Sequence, residues 1–303
     1  MNIKTFAENV NIAIHEDRLY AQGMDPSHVA LFEIVLLKEW FDTFETSDGT
    51  QHIGISLTIL QKILKTWKPD HSIELSCKKD SAKLHIRFHG KHKKSFKMAL
   101  LEMDMELLQI PEINHPLQAS IASSMWKEIL DELIMFGDSV SMTCNNDLMK
   151  LKAKDDEMSC LMKNKISKKH FQHYTFNIEE YDEIHITYSL RYLIKVCAFH
   201  KVASQMNIHM DPNVPLQLTY YFENTNMDES DECHDKNEDN YVRFYIAPKE
   251  VDDDEESDDD SDDEDNNDED DNSDEDDEDD EDDNNCNDDS DDDISNAMED
   301  LEM

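Results

Sequence analysis

Lys62 and Lys65 lie one helical turn apart on the polar side of a segment whose other side is apolar, a spacing that lets ammonium groups meet a phosphate backbone. A solvated helix face accounts for most such pairs, so nucleic-acid contact needs support from elsewhere in the chain. Other residue types that could do chemistry lack the spacing for it. His85, His89 and His92 suggest a metal cluster, but on a strand His85 and His89 would be about 13 Å apart, too far for one ion. Cys233-His234 sits in an acidic stretch that reads as an ordinary loop. The one GxxxxG, Gly49 to Gly54, is followed by Ile55-Ser56, where a phosphate-binding loop needs Lys and then Ser or Thr. Five glycines in 303 residues furnish no GxGxxG, and there is no GxSxG elbow. No enzyme, no cofactor and no metal site is expected.

The elements that would position the lysines follow from apolar period. Helical spacing appears at 6–14, 57–67, 125–136 and 190–203. In the second, Leu57, Leu60, Ile63, Leu64 and Trp67 form one face. In the third, Trp126, Ile129, Leu130, Leu133 and Ile134 do so, with Ser123 and Ser124 expected as N-caps and Gly137 as C-cap. Short β-rich runs lie between them at 19–22, 30–37, 51–55, 72–77, 83–89, 95–101, 140–144, 149–153, 174–178, 183–188, 216–222 and 241–246. The order helix, strands, helix, strands then recurs, a two-fold repeat of elements. The class is α+β: two similar domains of antiparallel sheet with two helices each. The boundaries are 1–97, an apolar linker at 98–112 that lies on a surface, and 113–249 with an exposed acidic loop at 224–240.

Charge separates the rest. From Glu250 to Met303 there are 35 acidic residues and no Lys or Arg, leaving 37 acids against 28 bases before it. Such a tail cannot bury enough apolar area to offset its ordering entropy, so 250–303 is expected to be disordered. Its last apolar residues, Ile294, Met298 and Leu301, repeat at i, i+4 and i+7 and could form a short docking helix. Six scattered cysteines without a CxxC pair, and no charged-then-apolar leader, point to reduced thiols inside a cell. No apolar stretch reaches the length of a membrane span.

Several separated segments, in order, resemble one family. Met24-Asp25-Pro26-Ser27-His28-Val29-Ala30-Leu31 comes first, then Lys62-Ile63-Leu64-Lys65 and Leu107-Leu108-Gln109-Ile110-Pro111-Glu112. The stretch 134–138, Leu190-Arg191-Tyr192-Leu193, Val214-Pro215-Leu216 and Tyr245-Ile246-Ala247-Pro248-Lys249 follow. Together they resemble the proliferating cell nuclear antigen family of DNA sliding clamps.

The resemblance implies a head-to-tail homotrimer with sheets outside and helices lining a hole for double-stranded DNA, read without regard to sequence. It implies a processivity factor that tethers DNA polymerase and other replication and repair proteins, is opened by a clamp loader, and works in the nucleus. On that pattern Lys4, Lys62, Lys65 and Arg191 face DNA, joined by Lys127, Lys195 and Lys201. Met24, His28, Val29, Leu108, Ile110, Pro111, Pro215, Tyr245, Ala247 and Pro248 correspond to the pocket for short peptides carrying Gln, an aliphatic and two aromatics. Phe96 and Met98 on one edge strand, and Cys160 and Met162 on another, correspond to the subunit interface.

Three departures stand out. The chain begins at a position inside the family's first helix, so either the true start lies upstream or the first sheet is one strand short, its first strand missing. Glu128 and Asp131 stand where relatives tend to be basic. The long tail points to a divergent lineage such as a large DNA virus, whose clamp would work in the host nucleus or a cytoplasmic replication factory. Two other readings are a damage-response clamp subunit that pairs with different subunits, and an acidic chaperone or DNA mimic on a clamp-like scaffold.

Overall fold

The computed structural model describes residues 3–250 apart from 48, 79–80, 104–106, 112, 156–159, 178 and 223–239. The tail and nearly all of the acidic loop expected from the sequence therefore lie outside the described residues. So do Cys233 and Cys286, while Cys77, Cys144, Cys160 and Cys197 are free thiols.

The first half runs β1 (Asn9–Ile14), β2 (Arg18–Met24), β3 (Ala30–Leu37), β4 (Gln51–Ser56), α1 (Leu57–Leu64), β5 (Ser72–Ser76), β6 (Lys83–His89) and β7 (Lys94–Ala99). The second half runs β8 (Leu117–Ala122), α2 (Ser123–Leu133), β9 (Ser139–Cys144), β10 (Leu148–Asp155), β11 (Cys160–Ser167), β12 (His173–Phe176), β13 (Ile184–Ser189), α3 (Leu190–Cys197), β14 (Gln205–Met210), β15 (Leu216–Tyr221) and β16 (Tyr241–Ile246). Single 3-10 turns stand at Ile3–Thr5, Lys38–Trp40 and Lys168–His170.

The strands form three antiparallel sheets. A nine-stranded sheet, β12-β8-β14-β15-β16-β3-β2-β1-β4, spans both halves. Its halves join where β16 pairs with β3, from Tyr241↔Val35 to Ile246↔Ala30. A four-stranded sheet runs β11-β10-β9-β13 and a three-stranded one β5-β6-β7. The register of β6 sends Leu84, Ile86 and Phe88 into the core and Lys83, His85, Arg87 and His89 outward, the alternation a one-sided sheet requires.

The helices pack on the inner faces. α2 buries Trp126, Leu130 and Leu133 and packs against α3, which buries Leu190, Leu193, Val196 and Cys197. The Phe6 ring lies 5.0 Å from that of Phe244, tilted by 35°, tying the segment before β1 to β16.

Four expectations need correction. The segment 6–14 is not a helix: after the 3-10 turn, β1 pairs with β2 on one side and β4 on the other. Phe6, Val10 and Ile14 fit a helical spacing, yet Asn-Val-Asn-Ile-Ala-Ile also alternates, and two strand partners satisfy its backbone better than one helix could. Ser123 and Ser124 do not cap α2: Ser123 is already its first residue, Ala122 precedes it, and no side-chain cap bond forms. Gly137 lies past the helix without a positive φ, Gly49 being the only described glycine that has one. A Cβ at Gly137 would come within 2.5 Å of the Lys154 carbonyl oxygen, so close approach to β10 explains the glycine. Finally, α1 ends at Leu64; Trp67 lies beyond it, 41% exposed, donating its indole N–H to the His71 carbonyl at 2.8 Å.

Candidate functional site

Three sets of residues were expected to act, and the fold distributes them over helices, a strand-end cluster and two sheet edges. On the helices, Lys62 is exposed in α1 and Lys65 is the exposed residue that caps its C-terminus, where the helix dipole favours a cation. Arg191 is exposed in the first turn of α3 and Lys201 in the turn after it. Lys4 is half-buried in the first 3-10 turn.

Two of the expected DNA-facing lysines are engaged inside the chain. Lys127 is ion-paired with Asp131 one turn on, and that bond raises its pKa. Lys195 is half-buried with its ammonium 4.8 Å from the Tyr192 ring centre and 5.7 Å from that of Phe6. Neither is as open to a phosphate as Lys62 and Lys65.

The cluster at the ends of β2, β3 and β16 brings together Met24, His28, Val29, Tyr245, Ala247 and Pro248. Met24 pairs with Leu31 in register, and the Ala247 N–H donates to the Val29 carbonyl at 2.9 Å. Between them the turn is built on Asp25, which accepts N–H bonds from Ser27, Val29 and Ala30 and a hydroxyl bond from Tyr192. Burial opposes its charge, but those four bonds outweigh it and hold the carboxyl below its ordinary range. His28 follows at φ 60°, a left-handed position that the Asp25 side chain and the His28 N–H to Asp25 carbonyl bond of 3.0 Å sustain.

The linker is held beside this cluster by one side chain. Gln22, buried on β2, donates to the Leu108 carbonyl at 3.0 Å and accepts from the Leu108 N–H at 2.8 Å, mimicking a strand partner. Upstream, Leu101 donates to the Gly54 carbonyl at 2.8 Å, and a Cβ at Gly54 would meet the Leu101 oxygen at 2.4 Å, so only glycine fits. Leu108 itself is 50% exposed, Ile110 is half-buried, and Pro111 and Pro215 are exposed. No bond among the described residues joins Ile110, Pro111 or Pro215 to the Met24–Tyr245 cluster.

Beneath the linker lies a polar network that sequence reasoning missed. Glu33, only 6% exposed, accepts from the Tyr20, Tyr241 and Tyr245 hydroxyls at 3.2, 3.4 and 3.0 Å and from Arg243 at 3.1 Å. Gln22 donates to the Tyr20 hydroxyl at 3.0 Å, so the network continues into the linker clamp. Burial first, and the Glu33 charge second, raise all three phenols, Tyr241 to about 12. A lone acid inside the apolar run Ala30–Leu37 was the available signal.

At the sheet edges, β7 and β11 are both outermost strands. Phe96 is half-buried, 5.5 Å from the Phe88 ring; Cys160 is exposed and Met162 half-buried. Met98 is 2% exposed, paired opposite Leu84 on the core face, so its side chain does not reach the edge surface expected of it. His89 bonds to Glu74 at 2.8 Å, and no group of His, Cys, Asp and Glu among the described residues is arranged to hold a metal. No described helix is long and apolar enough to cross a membrane.

Comparison with known proteins agrees with this architecture. The family model for the proliferating cell nuclear antigen N-terminal domain matches residues 1–110, and that for its C-terminal domain matches 109–229. Proliferating cell nuclear antigen of Chaetomium thermophilum is 25% identical over 259 residues, covering 83% of this chain and 93% of the relative. A DNA polymerase sliding clamp of Methanococcus maripaludis is 25% identical over 215 residues, covering 70% of this chain and 84% of the relative. The crystal structure of the antigen from Thermococcus kodakaraensis superposes with a TM-score of 0.69 at 16% identity, over 82% of this chain and 93% of that one. With both domain models matched in order and the fold shared, the chain belongs to the proliferating cell nuclear antigen family of sliding clamps, as a divergent member.

Proposed function

We propose that this chain closes as a homotrimeric ring around duplex DNA and tethers polymerases and other replication and repair proteins to it, catalysing no reaction of its own. Its site of action is then wherever DNA is replicated, the nucleus in a cellular setting, and a clamp loader is needed to open it. The observation that carries the reading is the pair of open edges: β7 ends one sheet and β11 ends another. An edge of one copy can continue the sheet of the next through the other edge, and such heterologous contacts make a ring when the rotation closes. Lys94 and Lys97 on β7 and Lys163 and Lys165 on β11 keep these edges from indiscriminate pairing.

Those lysines set a test. Closure brings like charges together, so ring assembly should strengthen as salt rises, whereas DNA retention should weaken. Light scattering across a salt series reads the first. Retention on a nicked circular plasmid, released when the plasmid is linearised, reads the second. A stable monomer, a ring formed only with other subunits, or equal retention on linear and circular DNA would overturn the reading.

The cluster of Met24, His28, Val29, Tyr245, Ala247 and Pro248, roofed by the linker, is the proposed pocket for a partner peptide. Exposed Leu108 and half-buried Ile110 are then its apolar wall. Leu108→Ala with Ile110→Ala should weaken a peptide carrying Gln, an aliphatic and two aromatics by about tenfold or more, since truncating one buried anchor costs on the order of 1–2 kcal/mol. Unchanged affinity in a titration would remove the linker from the pocket.

A further inference from the structure

The walls of the proposed peptide pocket are set by a side chain that does not line it. His28 and Val29 stand in the turn that runs from Asp25 to Ala30, while Ala247 and Pro248 follow β16 and are joined to that turn by the Ala247 N–H to Val29 carbonyl bond. Asp25, which is buried, accepts the Val29 and Ala30 N–H groups on Oδ1 at 2.8 and 2.6 Å and the Ser27 N–H on Oδ2 at 3.0 Å.

Those three donors belong to the turn, so they give it a shape but not a place. The remaining donor comes from a distant part of the chain: the hydroxyl of Tyr192, on α3, donates to Oδ2 at 3.0 Å. A buried carboxylate that loses a donor keeps the desolvation cost of its charge and loses part of what offsets it. His28 adds to the demand, because a residue with a Cβ keeps a φ of 60° only where its surroundings impose it.

Tyr192 is itself held by a cation. Lys195, half-buried and one helical turn on, places its ammonium 4.8 Å from the Tyr192 ring centre and 5.7 Å from that of Phe6. Phe6 lies against Phe244, the residue before Tyr245 in β16. One ammonium therefore stands behind both walls, touching the ring that fixes the turn and the ring that backs the strand. An ammonium seated between two rings is not on a phosphate.

We propose that Tyr192 and Lys195 are positioning residues of the peptide pocket, and that Lys195 serves partner recognition instead of the DNA contact expected of it. The inference rests on the pocket reading above and needs no ring.

The test is a titration of the full chain with a fluorescent peptide carrying Gln, an aliphatic and two aromatics. Tyr192→Phe removes one oxygen atom and keeps the ring, and it should weaken the peptide by about fivefold, as for loss of one hydrogen bond to a charge. Lys195→Met should weaken it by about two- to fivefold, and Lys195→Arg, which keeps a cation over the ring, should restore the parent affinity. In Tyr192→Phe amide exchange should rise at Ser27–Ala30 and not throughout α3 and β16. The dependence of short-duplex affinity on salt should be the same for Lys195→Met and the parent chain.

Unchanged peptide affinity in Tyr192→Phe would overturn the proposal. So would faster exchange spread over the whole fold, which would make the role one of general stability, or a salt slope flattened by about 1 per subunit in Lys195→Met, the mark of a phosphate contact. Leu108→Ala with Ile110→Ala tells the two readings apart. If that double variant leaves the peptide unaffected, the pocket itself is wrongly placed; if it weakens the peptide while Tyr192→Phe does not, only the positioning role falls.

Discussion

Replacing Glu33 by alanine is expected to lower the unfolding free energy by about 3 kcal/mol, the lower end of the range for breaking a buried ion pair. The lower end applies because Arg243 keeps 22% side-chain exposure and can reach water once its partner is gone. Each of the three phenols loses its acceptor as well, Tyr245 buried and Tyr20 and Tyr241 half-buried. Arg243→Met should cost less, since Glu33 would still accept three hydroxyl bonds. Urea unfolding of both variants checks the order, and equal losses would mean that the ion pair, not the phenols, dominates. Because Tyr20 also receives the Gln22 amide that clamps Leu108, Glu33→Ala should speed amide exchange at 107–111 as well.

The same network gives a sign for alkaline pH. Phenols raised above their unfolded value of about 10 contribute stability that is fully present below that pH and is lost as pH rises through the folded value. In Glu33→Gln burial still raises them but the Glu33 charge no longer adds to it, so the decline above pH of about 10 should be shallower than in the parent chain.

Why this network escaped the sequence is a matter of distance and direction. Glu33 and Arg243 are 210 positions apart, and a charge on a strand ordinarily points to solvent. Strands carrying Ile, Val, Phe or Tyr at several positions were legible to the residue: Ala30–Leu37, Lys83–His89 and Tyr241–Ile246. Those missed carry fewer such residues. β8, Leu-Gln-Ala-Ser-Ile-Ala, carries small residues because strands flank it on both sides, and β14 carries Met and His where Val or Ile would have signalled a strand. β11, expected only through the resemblance and not from period, is an edge whose lysines obscure its alternation. The expected peptide pocket came from the resemblance alone. The residues that shape it, Asp25 and Gln22, act through backbone groups that no spacing rule reaches.

On the proposed ring, charge reversal at Lys62 and Lys65 together should cost more of the hold on DNA than any other pair of lysine changes on the helices. Both ammoniums are exposed on or just after α1, whereas Lys127 is already paired with Asp131 and Lys195 lies against two aromatic rings. Lys195→Met should therefore register first as lost stability. In α2, Glu128, Asp131 and Glu132 outnumber Lys127, so that helix has no net positive charge to offer a phosphate. If each lysine neutralises one phosphate, Lys62→Glu with Lys65→Glu removes two contacts per subunit, flattening the dependence of log affinity on log salt by about 2 per subunit, or about 6 for a ring of three. Retention on closed circular DNA at low salt should fall by more than about tenfold, with the gap to the parent chain narrowing as salt rises. Phosphate contacts carry no sequence information, so plasmids of different composition should lose retention equally. Peptide binding at the linker should be untouched, because neither lysine borders that cluster. A loss that depends on DNA sequence, or a salt slope equal to that of the parent chain, would mean that DNA meets this protein somewhere other than α1.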